Sequence, residues 1–449
     1  MFNIRKLMKT FYILLFFILI YGLTNLYAKT KITWWAEQAE PHSTELILKL
    51  IVDKFNAEHP NLELELIEQP NADVLRPALM AGAGPDIMWC AGNAACSEYY
   101  AAGHLLALDK YSKEFGWNNK LMPWAYNAGI INNKLYTLPQ TFETFILMYN
   151  TKVFKKNGWE PPTTGSQLWS LAEKMKQKGI IPFAYGNASW KPTNEHLAGI
   201  YLNNYAGPEN VYKALIGEKP WSDKEFVGAM NLLKEHIVDK GYFMGSIENY
   251  YSYGWNEMWP PFASGEAGMM MIGTWGFRGG PSFFKDNPDD WDWVPLPPFS
   301  SEANSQIGPY HYDLALGGNI AINRASQNAD EAALVLDFIL NDKKSVLEIA
   351  ASSNFGEWVI PLKYSLSDFP ATTDKRVLKY FNDFTKVTSE GRYGYTTWTF
   401  WPAKSNVQLW KELELLWASE MTTEEYLQNH ENTWKSDRAE GKTFSIPNR

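Results

Sequence analysis

Cysteine is nearly absent from this 449-residue sequence: Cys90 and Cys96, six positions apart, are its only two. A disulfide-stapled scaffold is thereby excluded, although in an oxidising compartment the pair can either close one short-loop bridge or stay as thiols. A structural metal site wants about four ligands, and no histidine or further cysteine flanks the pair, so neither metal nor organic cofactor is expected. Basic clusters are lacking too. With 41 Lys and Arg against 50 Asp and Glu, the net charge of -9 offers no concentrated positive surface, which argues against a nucleic-acid partner. P-loop, HExxH and GxSxG motifs are missing, the seven histidines are scattered, and there is no internal repeat or low-complexity tract.

Long apolar runs are also missing beyond the N-terminus, where none approaches the roughly 18 residues of a membrane-spanning helix. At the N-terminus, Arg5, Lys6 and Lys9 precede an apolar run from Phe11 to Tyr21, and Leu26-Tyr27-Ala28 offers a small residue for cleavage. This pattern predicts an export signal over residues 1–28, cleaved near Ala28. No cysteine lies there to carry a lipid, so a free periplasmic protein is expected rather than a lipoprotein.

What the chain has in surplus is rings: 20 Trp, 24 Tyr and 24 Phe make it 15% aromatic, more than core filling alone explains. Its length suits two lobes rather than one core. The run Ile32 to Trp35 reads as a buried strand, and Ser43 or Thr44 as the cap of a helix carrying Ile47, Ile51 and Phe55 on one face up to Pro60. Leu62, Leu64 and Leu66 then alternate with Glu63 and Glu65, as in a strand with one wet face. The theme recurs at Phe145 to Tyr149 and in a helix starting at Thr164, where Gln167 completes a capping box and Leu168, Leu171, Ala172 and Met175 share a face. Strands alternating with helices predict mainly parallel sheets covered on both faces, with ligands at the strands' carboxyl ends. The Pro-rich stretch from Trp291 to Gly308 reads as a stiff crossing and a candidate hinge.

Several segments, taken in order, resemble the family-one extracellular solute-binding proteins. They are ITWW at Ile32, FNAEHPNLELEL at Phe55, AGAGPDIMW ending at Trp89, AAGHLLALDKY at Ala101, LYTLPQTFETFILMYNTKVFKKNGWEPP from Leu135, FASGEAGMMMIGTWGF from Phe262, and LALGGNIAINRAS from Leu314. The resemblance implies the periplasmic-binding-protein fold of type II character, two α/β lobes of mainly parallel sheet flanked by helices and joined by a hinge. Crossings are implied near Leu138 and Pro139, near Pro295 to Ser300, and near Phe355 to Pro361. Residues 29–138 plus 300–355 would form the N-terminal lobe, and residues 139–299 plus 356–449 the C-terminal lobe. The implied role is to capture a sugar or oligosaccharide for an ABC importer, as a monomer that meets the permease subunits at the membrane and performs no catalysis.

A sugar presents C–H faces and a rim of hydroxyls, so its receptor needs flat rings and planar polar groups. Trp275 follows the Met269 to Ile272 strand, at a place where the family has a stacking tryptophan. Glu143 matches a family carboxylate beside the first crossing, and Trp190, with Asn187, the family's aromatic in the second lobe. Trp89 and Asn93 follow the Gly84-Pro85-Asp86 turn. One of Trp398 and Trp401 is expected to stack on ligand. Trp35, Gln38, Trp255, Trp259, Arg278 and Asn319 adjoin segments that should border the cleft; Arg278 could recognise an acidic sugar or form a structural ion pair. A secreted glycoside hydrolase would also combine rings with carboxyls, but no compact paired-acid motif stands at a strand end. A carbohydrate-binding surface protein would be expected to show repeats or an anchor.

Overall fold

The computed structural model describes residues 29–69, 74–188 and 193–448, so the expected export segment and Trp190 lie outside the described residues. The first sheet runs β12–β11–β3–β1–β2, with β6 also on β11. Its members are β1 (Thr30–Glu37), β2 (Leu62–Gln69), β3 (Ile87–Ala91), β6 (Leu138–Glu143), β11 (Tyr312–Ile322) and β12 (Tyr393–Tyr395). A two-stranded ribbon of β4 (Ile130–Ile131) and β5 (Lys134–Leu135) stands apart. The second sheet, β10–β7–β9–β8, joins β7 (Phe145–Asn150), β8 (Ile181–Phe183), β9 (Ala267–Gly273) and β10 (Trp291–Val294).

Both sheets are mixed: the first keeps a majority of parallel pairings, three of five, while the second, with two of three antiparallel, departs from the mainly parallel expectation. In the first, β1 pairs parallel with β2 and β3, and β11 with β12, but β11 runs against β3 and β6. In the second, β7 opposes both β9 and β10, and only β8 and β9 are parallel. Alternation of strand and helix predicts parallel neighbours only while the chain stays in one lobe. β11 and β7 instead enter their sheets from the other lobe, with no crossover helix to set their direction.

Periodicity placed the helices well. The helix Gly165–Gln177 is capped by Thr164, whose hydroxyl accepts from the Gln167 amide, and it buries Leu168, Leu171, Ala172 and Met175. The first helix differs at its start: it opens at Pro41, with Glu40 rather than Ser43 or Thr44 at the cap position. A proline at the first helical position has its φ preset and no N–H to satisfy, so it takes over the start. Ile47, Ile51 and Phe55 are buried as expected.

The chain passes from the first sheet to the second at Thr144, between β6 and β7. It returns along β11, whose Tyr312, Leu314 and Leu316 pack in the second lobe's core while Ile320 and Ile322 pack in the first. A third passage follows helix Lys343–Ser352: Trp358 and Ile360 join the first core and Phe355 and Val359 the second. The molecule is thus a two-lobe α/β fold with three passages. Cys90, in β3, and Cys96, in the next helix, are joined by a disulfide with Cα atoms 5.7 Å apart.

Candidate functional site

A cleft of about 660 Å3 lies where the two lobes meet, within the size range of about 300–1,000 Å3 common to small-molecule sites. Strand carboxyl ends supply much of its wall. From the first lobe come Glu37 and Gln38 at the end of β1, Trp89 in β3, Gly92 and Ala94 in helix Gly92–Ala101, Gln140 and Glu143 in β6, and Gly317 and Gly318 in β11. From the second come Glu195 and His196, Trp255, Trp275 and Arg278 just past β9, Trp398, and Asn406 and Trp410. Glu357 and Trp358 belong to the third passage.

The tryptophans are held by other rings. Trp275 and Trp398 meet edge to face at 5.9 Å, and Phe145 packs beneath both at 5.7 and 5.5 Å. His196 lies 5.0 Å from Trp275 and 4.9 Å from Trp398, and shares a 2.6 Å hydrogen bond with the Tyr185 hydroxyl. Burial holds that imidazole down at about 3, so it packs as a neutral ring. Two glycines make room. A Cβ on Gly318 would lie 2.5 Å from Trp89 Nε1, and one on Gly317 would lie 2.3 Å from a Glu143 carboxyl oxygen.

Polar groups fall into two sets. Arg278 donates to Glu357 at 2.6 Å with its guanidinium 4.7 Å from the Trp255 ring, so the structural ion pair is formed. Glu195 accepts from the Thr397 hydroxyl at 2.6 Å and from the Asn406 amide; burial raises it to about 7 while those bonds pull it down. Glu143 and Glu37 accept from no described group. Burial first and facing Glu37 second push Glu143 up to about 8, against the pull of Arg278. Burial and Glu357 push Glu37 up to about 7, again opposed by Arg278. Water reaches Glu37 through the cleft, but protein closes round it on most sides, and burial therefore dominates its titration.

Of the residues singled out in the sequence, Trp275, Glu143, Trp89, Trp398, Gln38, Trp255 and Arg278 line this cleft. Asn93, Asn319, Asn187, Trp401, Trp259 and Trp35 do not. Asn93 donates to the Ala128 carbonyl at 2.7 Å and accepts from Asn319 at 2.9 Å, so these two brace the helix after β3 instead of facing the cleft. Trp401 is fully buried, its indole N–H 3.0 Å from His430 and its ring beside Trp221. Trp259 is buried against Phe283, Asn187 is buried, and Trp35 packs against the small cluster that contains the disulfide. Sequence reasoning missed Glu37, Gln140, Glu195, His196, Glu357 and Trp410. Glu37 adjoins Gln38 at the end of a clear strand, which was a usable signal; the others come from segments with no distinguishing pattern.

The sequence profile of the family described as bacterial extracellular solute-binding protein matches residues 40–345. Among individual proteins, the chain is 27% identical over 257 residues to the multiple sugar-binding protein of Streptococcus mutans, covering 55% of this chain and 58% of that one. It is 26% identical over 270 residues to the maltotriose-binding protein of Pyrococcus abyssi, covering 60% and 54%. The chain therefore spans little more than half the length of these relatives. Among solved structures, a chitin oligosaccharide binding protein superposes with a TM-score of 0.73 at 23% identity, over 92% of this chain and 99% of that one. A maltose-bound Thermotoga maritima protein gives 0.68 at 19%, over 91% and 99%; at such identities these likenesses speak for the fold. The profile match covers well over half of the sequence, and the chain belongs to the bacterial extracellular solute-binding protein family.

Proposed function

We propose that this chain is the substrate-binding protein of an ABC importer, capturing a sugar or oligosaccharide in the interlobe cleft and delivering it to the membrane permease. The observation that carries this reading is the convergence of tryptophans from both lobes, Trp89 from one and Trp255, Trp275 and Trp398 from the other, on a cavity edged with carboxyls. Rings serve the C–H faces of a sugar, and carboxyls, amides and a guanidinium serve its hydroxyls. The sugar-binding names of the relatives support the same class.

The ligand-contacting set we propose is Trp275, Trp398, Trp89 and Trp255 with Glu143, Gln38 and Arg278. Because the helix Ser301–Ile307 packs on second-lobe helices through Ser300 and Gln306, and Tyr312, Leu314 and Leu316 still pack in the second lobe's core, we put the second crossing within β11, between Leu316 and Ile320. Ligand held by both lobes binds the closed form better than the open form and shifts the equilibrium by that difference. The chain would act outside the cytoplasm as a monomer, its export segment removed near Ala28 and no lipid attached. No helix among the described residues is long and apolar enough to cross a membrane.

Titrating the secreted protein with a panel of mono- and oligosaccharides while following tryptophan fluorescence tests the proposal. A saturable change with at least one sugar is expected, and none with any sugar would overturn it. Three cleft carboxyls with raised pKa values, Glu37, Glu143 and Glu195, also suit acid–base work on a glycosidic bond. The same mixtures should therefore be assayed for reducing ends, of which a receptor releases none.

A further inference from the structure

We infer that the ligand carries a protonated amine, so that the sugar class is an amino sugar rather than a neutral or acidic one; this rests on the sugar-receptor reading above. The charge inventory of the cleft is one-sided. Five carboxyls line it, on Glu37, Glu98, Glu143, Glu195 and Glu357, against a single cationic side chain, Arg278.

Three of the five are answered within the protein. Glu357 holds Arg278, Glu98 holds Arg76 at the rim, and Glu195 takes two neutral donors. Arg278 is thereby matched in charge, and its buried Nε–H, without a partner among the described residues, is free for a neutral acceptor such as a sugar hydroxyl. Glu37 and Glu143 are left facing one another, each without a hydrogen bond or ion pair from a described residue. The charged and titratable groups around them are Arg278 and Glu357, with Tyr185 and Tyr380 beside Glu143.

A separate observation gives the same direction. Gln140, 1% exposed, lines the cleft with its Oε1 buried and accepting from nothing. Burying the Gln140 carbonyl without a donor is costly, so that donor is expected on the ligand, while Glu143, half-buried, and Glu37, open to the cleft, present their carboxyls to the same ligand. The site thus presents three unanswered acceptor groups, Glu37, Glu143 and Gln140. An ammonium brings three donors, no acceptor and a positive charge; a hydroxyl brings one donor with lone pairs of its own and no charge. A uronate would add a sixth carboxylate to five. β11 accommodates the arrangement, since at Gly317 any side chain would meet the Glu143 carboxyl.

Calorimetry on the secreted chain tests this with glucosamine, galactosamine and a β-1,4-linked glucosamine trimer. Each is measured against its N-acetylated, neutral and uronate counterparts, in two buffers of different ionisation enthalpy. The amine form of at least one set should bind at least tenfold tighter than its N-acetylated and neutral partners, weaken with salt, and release protons on binding as Glu37 and Glu143 ionise. Glu143→Gln and Glu37→Gln should each erase that preference, the amine form then binding no tighter than its neutral partner, with circular dichroism and urea midpoints showing that the variants are folded. Equal or tighter binding of the neutral, N-acetylated or uronate form would overturn the inference and leave the sugar receptor standing. Binding of none of these sugars would overturn the inference, and the receptor reading falls with it only if the wider fluorescence panel is also without a binder.

Discussion

Glu143 should weaken the unliganded fold, and replacing it should show how much. Its ordinary value is 4.5, and burial with Glu37 opposite raises it to about 8 in the folded chain. Below pH 4.5 both folded and unfolded chains hold the proton, and the side chain contributes no difference. Between the two values the unfolded chain has lost a proton that the folded chain keeps, so wild-type stability falls as pH rises, by about 1.4 kcal/mol per pH unit and titrating group. The whole interval sets a ceiling of about 5 kcal/mol. Glu37 titrates with it and water enters the cleft, so a realistic gain for Glu143→Gln is roughly 2 kcal/mol at pH 8.5 and nothing at pH 4. Urea midpoints for both proteins at pH 4, 6 and 8.5 measure it directly. A difference that stays constant with pH, or a variant less stable than wild type at pH 8.5, would refute the placement of this carboxyl in a desolvated, like-charged site.

Four other outcomes follow from the same geometry. Trp275→Ala should weaken sugar binding more than tenfold, about 1.4 kcal/mol, in a protein whose circular dichroism is unchanged. Trp398→Ala should lower affinity with little loss of stability, whereas Trp401→Ala, emptying a core site, should cost about 3–5 kcal/mol of stability by urea denaturation. Gly317→Ala should displace the Glu143 carboxyl and reduce affinity in calorimetry. Replacing Cys90 and Cys96 by Ser opens a six-residue separation, which chain entropy values at about 2 kcal/mol; because Ala91, Gly92, Ala94 and Ala95 line the cleft, affinity should fall along with the urea midpoint.

The fold was legible where local pattern and tertiary demand agree. Helix Gly165–Gln177, with its capping threonine and apolar stripe, is a local statement that no other part of the chain contradicts. Strand direction was not legible, because it depends on which lobe the chain arrives from: β11 looks like any apolar strand, yet it runs against β3 and β6. The charge pairing of the cleft was equally hidden. Arg278 and Glu357 are 79 positions apart, and Glu37 and Glu143 are far apart in sequence, so spacing carries no trace of which carboxyl is answered and which is not.

Residue type misled most where one residue serves bracing as well as binding. Trp398 and Trp401 stand three positions apart around one short helical turn, and only their surroundings divide them: Trp398 meets Trp275 at the cleft, while Trp401 turns inward to His430 and Trp221. Asn93 and Asn319 show the same division among polar side chains. Each sits on a cleft-forming element, yet they spend their amides on one another and on Ala128, tying helix Gly92–Ala101 to β11. That tie fixes Gly92 against the Trp398 backbone, where a Cβ would meet the carbonyl oxygen at 2.8 Å. Residues that never line the cavity thus hold the first lobe in contact with a ring of the second, and the cleft's width depends on them as well as on the side chains that face the ligand.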